Sequence, residues 1–162
     1  MQSVVLLLGS NHKQAADIVE RAIAIVHNSV GEVVACSQQY RSEAFGFTSK
    51  DVFVNQAIEV RTDADAYEVL RRINLIEALL GRDRALEQEA KRTSGERYAS
   101  RPIDIDIIFY GDKSFDDCRL VIPYHELDSR EYALRPVAEI AGSRRHPSLA
   151  LTPQEMLARF EK

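Results

Sequence analysis

Hydrophobic and polar positions change period several times along this chain, and each change marks an element. Val4 to Leu8 is a continuous apolar run ending at Gly9-Ser10-Asn11, the pattern of a short buried strand that meets a turn and a helix start. The period then becomes three and four. Ile18, Ala22 and Ile25, with Val19, Ile23 and Val26 beside them, predict an amphipathic helix through about His27, which Asn28 and Gly31 break. Val33 to Arg41 reads as a strand, Ser42 to Asp51 lacks periodicity and reads as a loop, and Val52 to Val60 resumes as a strand. These two strands are expected to pair as a long-looped hairpin. Asp65-Ala-Tyr-Glu68 has the form of a capping box, and Leu70, Ile73, Ile76 and Leu80 carry a second amphipathic helix that Gly81 can terminate. A polar run from Arg82 to Ser100 leads into an apolar strand containing Asp104 and Asp106.

The order strand, helix, strand, strand, helix, strand predicts a ferredoxin-like βαββαβ sandwich of the α+β class, with a mainly antiparallel sheet and helices packed on it. Leu120 to Pro123 predicts a short further strand. Ala133 to Ile140 and Thr152 to Phe160 predict C-terminal helical additions, the last begun by Thr152-Pro153-Gln154-Glu155.

A length of 162 residues suits a single domain with its own core, needing no staple. Cys36 and Cys118 lack C-x-x-C spacing and are expected to be reduced thiols used for packing. The apolar start is too short to span a bilayer and lacks a basic leader, so a cytoplasmic protein is expected. A net charge of −4 argues against a surface devoted to nucleic acid. Acids and bases are interspersed after Arg82, so any anion site there must be a focused pocket of arginines, as a small phosphorylated ligand requires.

The most chemically informative stretch is Arg101-Pro-Ile-Asp104-Ile-Asp106-Ile-Ile-Phe-Tyr110. Side chains alternate in a strand, so the two carboxylates share one face, roughly 6.5 Å apart along the chain, where they can bracket a hard cation such as Mg²⁺. A solvated edge strand is the alternative, and the nearby arginines weigh against it. Glu77 lies beside an apolar stripe, where a carboxylate either turns to water or needs a partner. Arg82, Arg84, Arg97, Arg101, Arg119 and Arg130 lie on or beside loops. Metal ligands with arginines suit phosphoryl transfer, in which positioning and charge neutralisation dominate. Walker, protein-kinase, zincin and serine-hydrolase motifs are absent.

Read together, several motifs in order resemble the 6-hydroxymethyl-7,8-dihydropterin pyrophosphokinase family. They are Leu8-Gly-Ser-Asn11, Tyr40-Arg41, Phe53-Val-Asn55-Gln-Ala-Ile-Glu-Val, Glu77 with Gly81-Arg82-Asp-Arg84, and Arg97-Tyr-Ala-Ser-Arg101-Pro-Ile-Asp104-Ile-Asp106-Ile. Ile122-Pro-Tyr-His125 and Arg130-Glu-Tyr-Ala-Leu-Arg-Pro-Val-Ala-Glu-Ile140 complete the set. The resemblance implies transfer of the β,γ-pyrophosphate of ATP to a pterin hydroxymethyl group, on a ferredoxin-like core. It implies Asp104 and Asp106 as ligands of two Mg²⁺ ions, and Arg82 and Arg101 as catalytic residues on the phosphoryl group in flight. Glu77, Arg84, Arg97, Tyr98, Arg119, Tyr124, His125 and Arg130 match ATP-site positions. Ser42, Phe45, Phe53, Asn55 and Tyr132 are assigned to the pterin, with ordinary core as the alternative for Phe53 and a surface role as the alternative for His125.

Two departures stand out. Arg97-Tyr98-Ala99-Ser100-Arg101 replaces the family's usual Arg-Trp-Gly-Pro-Arg, and Pro123-Tyr124-His125 displaces the usual Pro-His pair by one position. The Ser42 to Asp51 and Ala85 to Ser100 segments are expected to be lids, poorly ordered without ligands, and the protein to be a monomer. A nucleotide- or pterin-binding relative without turnover, and an RNA-binding module of the same fold, are the other classes open to the sequence. The acidity of the chain opposes the RNA module.

Overall fold

The computed structural model describes residues 1–43, 52–83, 85, 88, 89, 92 and 102–161. Strand β1 (Gln2–Ser10) is apolar on both faces, and Val4 to Ser10 are all buried, which suits it to the interior of a sheet. Helix α1 (Ala15–Ser29) follows and buries Ile18, Val19, Ala22 and Val26, the stripe its periodicity predicts. The single strand expected from Val33 to Arg41 is instead two, β2 (Glu32–Cys36) and β3 (Tyr40–Glu43), both antiparallel to β4 (Val52–Thr62). Ser37 causes the break. Its hydroxyl accepts the Ala57 N–H at 3.0 Å while its own N–H donates to the Ala57 carbonyl at 2.8 Å, so a side chain takes over one ladder position.

Helix α2 (Ala66–Leu79) is capped by Asp65, whose carboxylate accepts the Glu68 N–H at 2.8 Å. The Glu68 side chain turns to Arg71 and Arg72 instead of closing the box. Gly81, at φ +102°, ends the helix, with its N–H on the Ala78 carbonyl and the Arg82 N–H on the Glu77 carbonyl. This paired closure needs a left-handed residue and returns Arg82 to the last turn of the helix, beside Glu77.

Strand β5 (Asp104–Tyr110) pairs antiparallel with β1, and the sheet order is β2-β4-β1-β5, with β3 also on β4. This is the ferredoxin-like α+β sandwich the element order predicts. A hairpin of β6 (Phe115–Asp116) and β7 (Val121–Ile122) follows, then α3 (Glu131–Ala141) and α4 (Pro153–Ala158). The reciprocal cap of Thr152 and Glu155 starts α4 as its sequence predicts.

Alternation along β1 divides the core. Val4, Leu6 and Leu8 pack with Val19, Val26, Val69 and Ile73 of α1 and α2, whereas Val5 and Leu7 pack with Leu134, Val137 and Met156 of α3 and α4. Each fully buried aliphatic side chain contributes roughly 1.5–3 kcal/mol, so both layers matter to stability. Cys36 and Cys118 are exposed, not packed, because one ends the edge strand β2 and the other sits in the turn between β6 and β7. Among the described residues no helix is long and apolar enough to cross a membrane.

Candidate active site

Register builds the site. Tyr40, Asn55, Gly9 and Asp104 are successive neighbours across β3, β4, β1 and β5, and Ala57, Leu7 and Asp106 form the next row. Asp104 and Asp106 therefore share one face of β5, as alternation predicts, while Ile105 and Ile107 join the core on the other. Gly9 is the gap in the first row. A Cβ there would stand 2.7 Å from Asn55 Oδ1, so the missing side chain is what lets Asn55 lie across β1 towards the aspartates.

Beyond Asp106 the alternation is reset. Leu6 faces Ile107 but Val5 faces Phe109, leaving Ile108 as an extra residue whose carbonyl accepts the Tyr124 N–H at 3.1 Å. The irregularity anchors the segment after β7 against β5. It also carries Phe109 to the layer under α3 and α4.

A cleft of about 480 Å³ wraps round the outer edge of β5. Of the residues singled out from sequence, Ser42, Phe53, Asn55, Arg82, Asp104, Asp106, Arg119, Tyr124, His125 and Tyr132 all line it. Glu77 stands behind the wall and Arg130 is tied to Glu126 at 2.8 Å. Phe45, Arg84, Arg97, Tyr98 and Arg101 lie outside the described residues, as do most of the two segments expected to be lids. Ser42 and Glu43 belong to β3, so the first of those segments begins later than expected.

The alternative for Glu77, a carboxylate turned to water, does not hold. Glu77 is 1% exposed and its Oε2 accepts from Arg82 Nη1 at 2.8 Å and from the Ile105 N–H at 2.8 Å, which satisfies an edge amide of β5. Arg82 Nη1 also donates to Asp104 Oδ1 at 2.8 Å. The end of α2 and the start of β5 are thus joined by one buried guanidinium, placed by the Gly81 turn. Removing one member of such a group leaves a charge buried without compensation, which makes the arrangement rigid.

Tyr124 and Tyr132 stand close together, and burial raises both phenol pKa values, with the Asp106 carboxylate pushing Tyr124 further. Both therefore stay protonated near Asp106. His125 is turned outward, with its side chain 66% exposed and its Nε2 at 3.5 Å from Glu126. The structure thus gives the inner, half-buried position of the Tyr124-His125 pair to the tyrosine.

Among the lining residues that the sequence did not assign to the site are Asn74, Glu126 and Leu70. Asn74 precedes Glu77 by one turn on the same helix, Glu126 pairs with Arg130 at i,i+4, and Leu70 opens the apolar side. The spacings of Asn74 and Glu126 were available signals, whereas Leu70 looks like any core residue.

The family model described as 7,8-dihydro-6-hydroxymethylpterin-pyrophosphokinase (HPPK) matches residues 5–142, a span that takes in most of β1, strands β2 to β7, the described cleft residues and α3. The chain belongs to this family. A 2-amino-4-hydroxy-6-hydroxymethyldihydropteridine pyrophosphokinase of Methylorubrum extorquens is 33% identical over 165 residues, covering 99% of this chain and 95% of the relative. One of the same name from Synechocystis sp. is 36% identical over 135 residues, covering 83% of this chain and 64% of that protein. The crystal structure of wild-type Plasmodium falciparum HPPK-DHPS gives the same fold, with a TM-score of 0.73 at 16% identity, covering 98% of this chain and 44% of that one. Membership in the HPPK family accounts for the cluster of matching motifs in the cleft.

Proposed function

We propose that this chain moves the β,γ-pyrophosphate of ATP to the hydroxymethyl group of 6-hydroxymethyl-7,8-dihydropterin, releasing AMP, as a monomeric cytoplasmic enzyme of one domain. The observation that carries this reading is the register row in which Asn55, Gly9 and Asp104 are adjacent, with Asp106 one step on. It sets a place for a flat polar ring next to a place for phosphates. Phe53 and Tyr132 supply aromatic faces for the ring and Asn55 hydrogen-bonds its edge, with Ser42 beside them, and the motif resemblance adds Phe45 to this set.

The donor chemistry fits Mg²⁺. Asp104 and Asp106 offer hard oxygens on one face, and among the described residues there is no third His, Cys, Asp or Glu to complete a protein cage. Mg²⁺ prefers such sites, held by one or two carboxylates with the remaining ligands from water and substrate phosphates. Asp104 and Asp106 would hold two ions, which when bound neutralise phosphate charge and orient the chain for in-line displacement.

The protein's own groups do the positioning. Arg82 is held by Glu77 and Asp104, so its charge is pre-oriented and needs no rearrangement during transfer. Arg101 shares that task. Arg119, with Arg84, Arg97, Tyr98, Arg130 and His125, binds ATP, and the half-buried Tyr124 adds a protonated phenol to the same site. A loose phosphoryl transition state needs little early proton removal from the alcohol, so no dedicated base is required.

Mixing the protein with ATP, Mg²⁺ and the pterin tests this directly. Pterin-dependent AMP, formed one for one with pterin consumed, is the expected result. ADP, or ATP binding without any transfer, would overturn the reading and favour another phosphotransferase or a binding relative without turnover.

A further inference from the structure

Arg119 lines the cleft from the turn between β6 and β7, an exposed segment of a two-residue ladder that has little stiffness of its own. A cation so placed would lose much of its orientation to side-chain entropy unless something held it. The structure supplies a holder from a different element.

Tyr67, in the first turn of α2, packs its ring edge-to-face on Phe115 at 5.9 Å between centroids, and the Arg119 guanidinium carbon lies 5.1 Å from the same tyrosine ring centre. Phe115 is in turn set edge-to-face on the buried Tyr110 ring at 6.0 Å. The Tyr67 hydroxyl donates to Asp117 Oδ2. The other oxygen of that carboxylate accepts the backbone N–H groups of Arg119 at 2.8 Å and Leu120 at 2.9 Å, and the Asp117 N–H donates to the Leu120 carbonyl at 3.0 Å. Tyr67 therefore holds Arg119 twice, through its ring beside the guanidinium and, by way of Asp117, through the backbone that carries it. Tyr67 lies one turn before Leu70 and two before Asn74, both of which line the cleft, so the grip comes from the helix that forms the cleft wall.

We infer that Tyr67 is a positioning residue for nucleotide binding, which with Asp117 holds Arg119 towards the cleft for the phosphates of ATP. A cation–π contact uses none of the guanidinium N–H groups as hydrogen-bond donors to the ring's substituents, so they stay available to bond phosphate oxygens in pairs. The inference rests on the proposed ATP site.

The test is a double-mutant cycle read by calorimetric ATP binding and by steady-state kinetics. Tyr67→Leu removes ring and hydroxyl, Tyr67→Phe removes the hydroxyl alone, and each is combined with Arg119→Ala. An exposed cation–π contact predicts that Tyr67→Leu weakens ATP binding and raises its KM by about three- to fivefold, with kcat and pterin affinity within about twofold. Tyr67→Phe should recover part of the loss, and Tyr67→Leu should change nothing further once Arg119 is alanine. Equal effects of Tyr67→Leu with and without Arg119, or parallel losses of kcat and pterin affinity, would overturn the inference. Tyr67→Phe keeps the core ring and guards against misfolding of the leucine variant. Coupling in binding without AMP formation would sink the pyrophosphokinase reading alone. AMP formation without coupling would sink only the role of Tyr67, and a wild-type protein that binds no ATP would sink both.

Discussion

The two faces of one sheet are treated differently by the same strands. Towards α1 and α2 the middle of the face is apolar, with Val4, Leu6 and Leu8 of β1 beside Ile58 and Val60 of β4 and Ile105 and Ile107 of β5. The opposite face is apolar only where α3 and α4 cover it, at Val5, Leu7, Ala57 and Phe109. Beyond that cover it turns to Asn55, Gly9, Asp104 and Asp106, and there the cleft opens. The candidate site thus lies where cover ends, on strands backed by the closed face behind them. Stability and chemistry should separate accordingly when either face is altered.

The sharpest break is expected on the open side. Asp106→Asn should lower pyrophosphoryl transfer by about 10²–10³, the scale of losing one preorganised charged group, with thermal stability almost unchanged. A large loss of stability together with activity would blur the contrast. Leu6→Ala on the closed face should do the reverse, costing about 2–5 kcal/mol in denaturant unfolding while activity per folded molecule persists.

Gly9→Ala tests the row itself. The added Cβ must displace the Asn55 carboxamide, so pterin affinity should fall by about tenfold while ATP affinity holds, which paired titrations would separate. Equal losses for both ligands would place the damage in the strand instead.

The smallest effect concerns the cover of the second face. His146 packs edge-to-face on Phe109, and its Nδ1 accepts the backbone N–H groups of Ser148 and Leu149, both at 3.1 Å. Burial lowers its pKa from the ordinary 6.5, against the opposing pull of Asp128 and with Arg144 and Arg145 beside it in sequence. The neutral form is favoured in the folded state, so its contribution is complete above about pH 6.5 and is lost as pH falls through the lowered value. Unfolding measured from pH 7.5 downward should show this decline in the wild type, and His146→Gln should remove that part of the slope.

Much of this was legible in the chain because period is a local property. The 3.6-residue stripes of α1 and α2, the alternation of Asp104 and Asp106, the Thr152 cap and the Gly81 stop all follow from neighbours a few residues apart, and they specify the element order and hence the ferredoxin-like fold. The need of Glu77 for a partner was legible too, since a carboxylate beside an apolar stripe cannot be buried alone.

What the chain by itself did not determine is long-range. The break at Ser37 depends on an Ala57 twenty residues away, and the extra residue at Ile108 appears only against β1 and Tyr124. Which of Tyr124 and His125 turns inward is settled by packing, with Tyr124 half-buried against the layer under α3 and α4 and His125 left exposed. The grip of Tyr67 on Arg119 joins a helix to a hairpin some fifty residues on. Local sequence sets which face a side chain takes, because backbone geometry does so residue by residue. Which neighbour it meets is decided by strand register and helix docking, and those come from packing the whole chain at once.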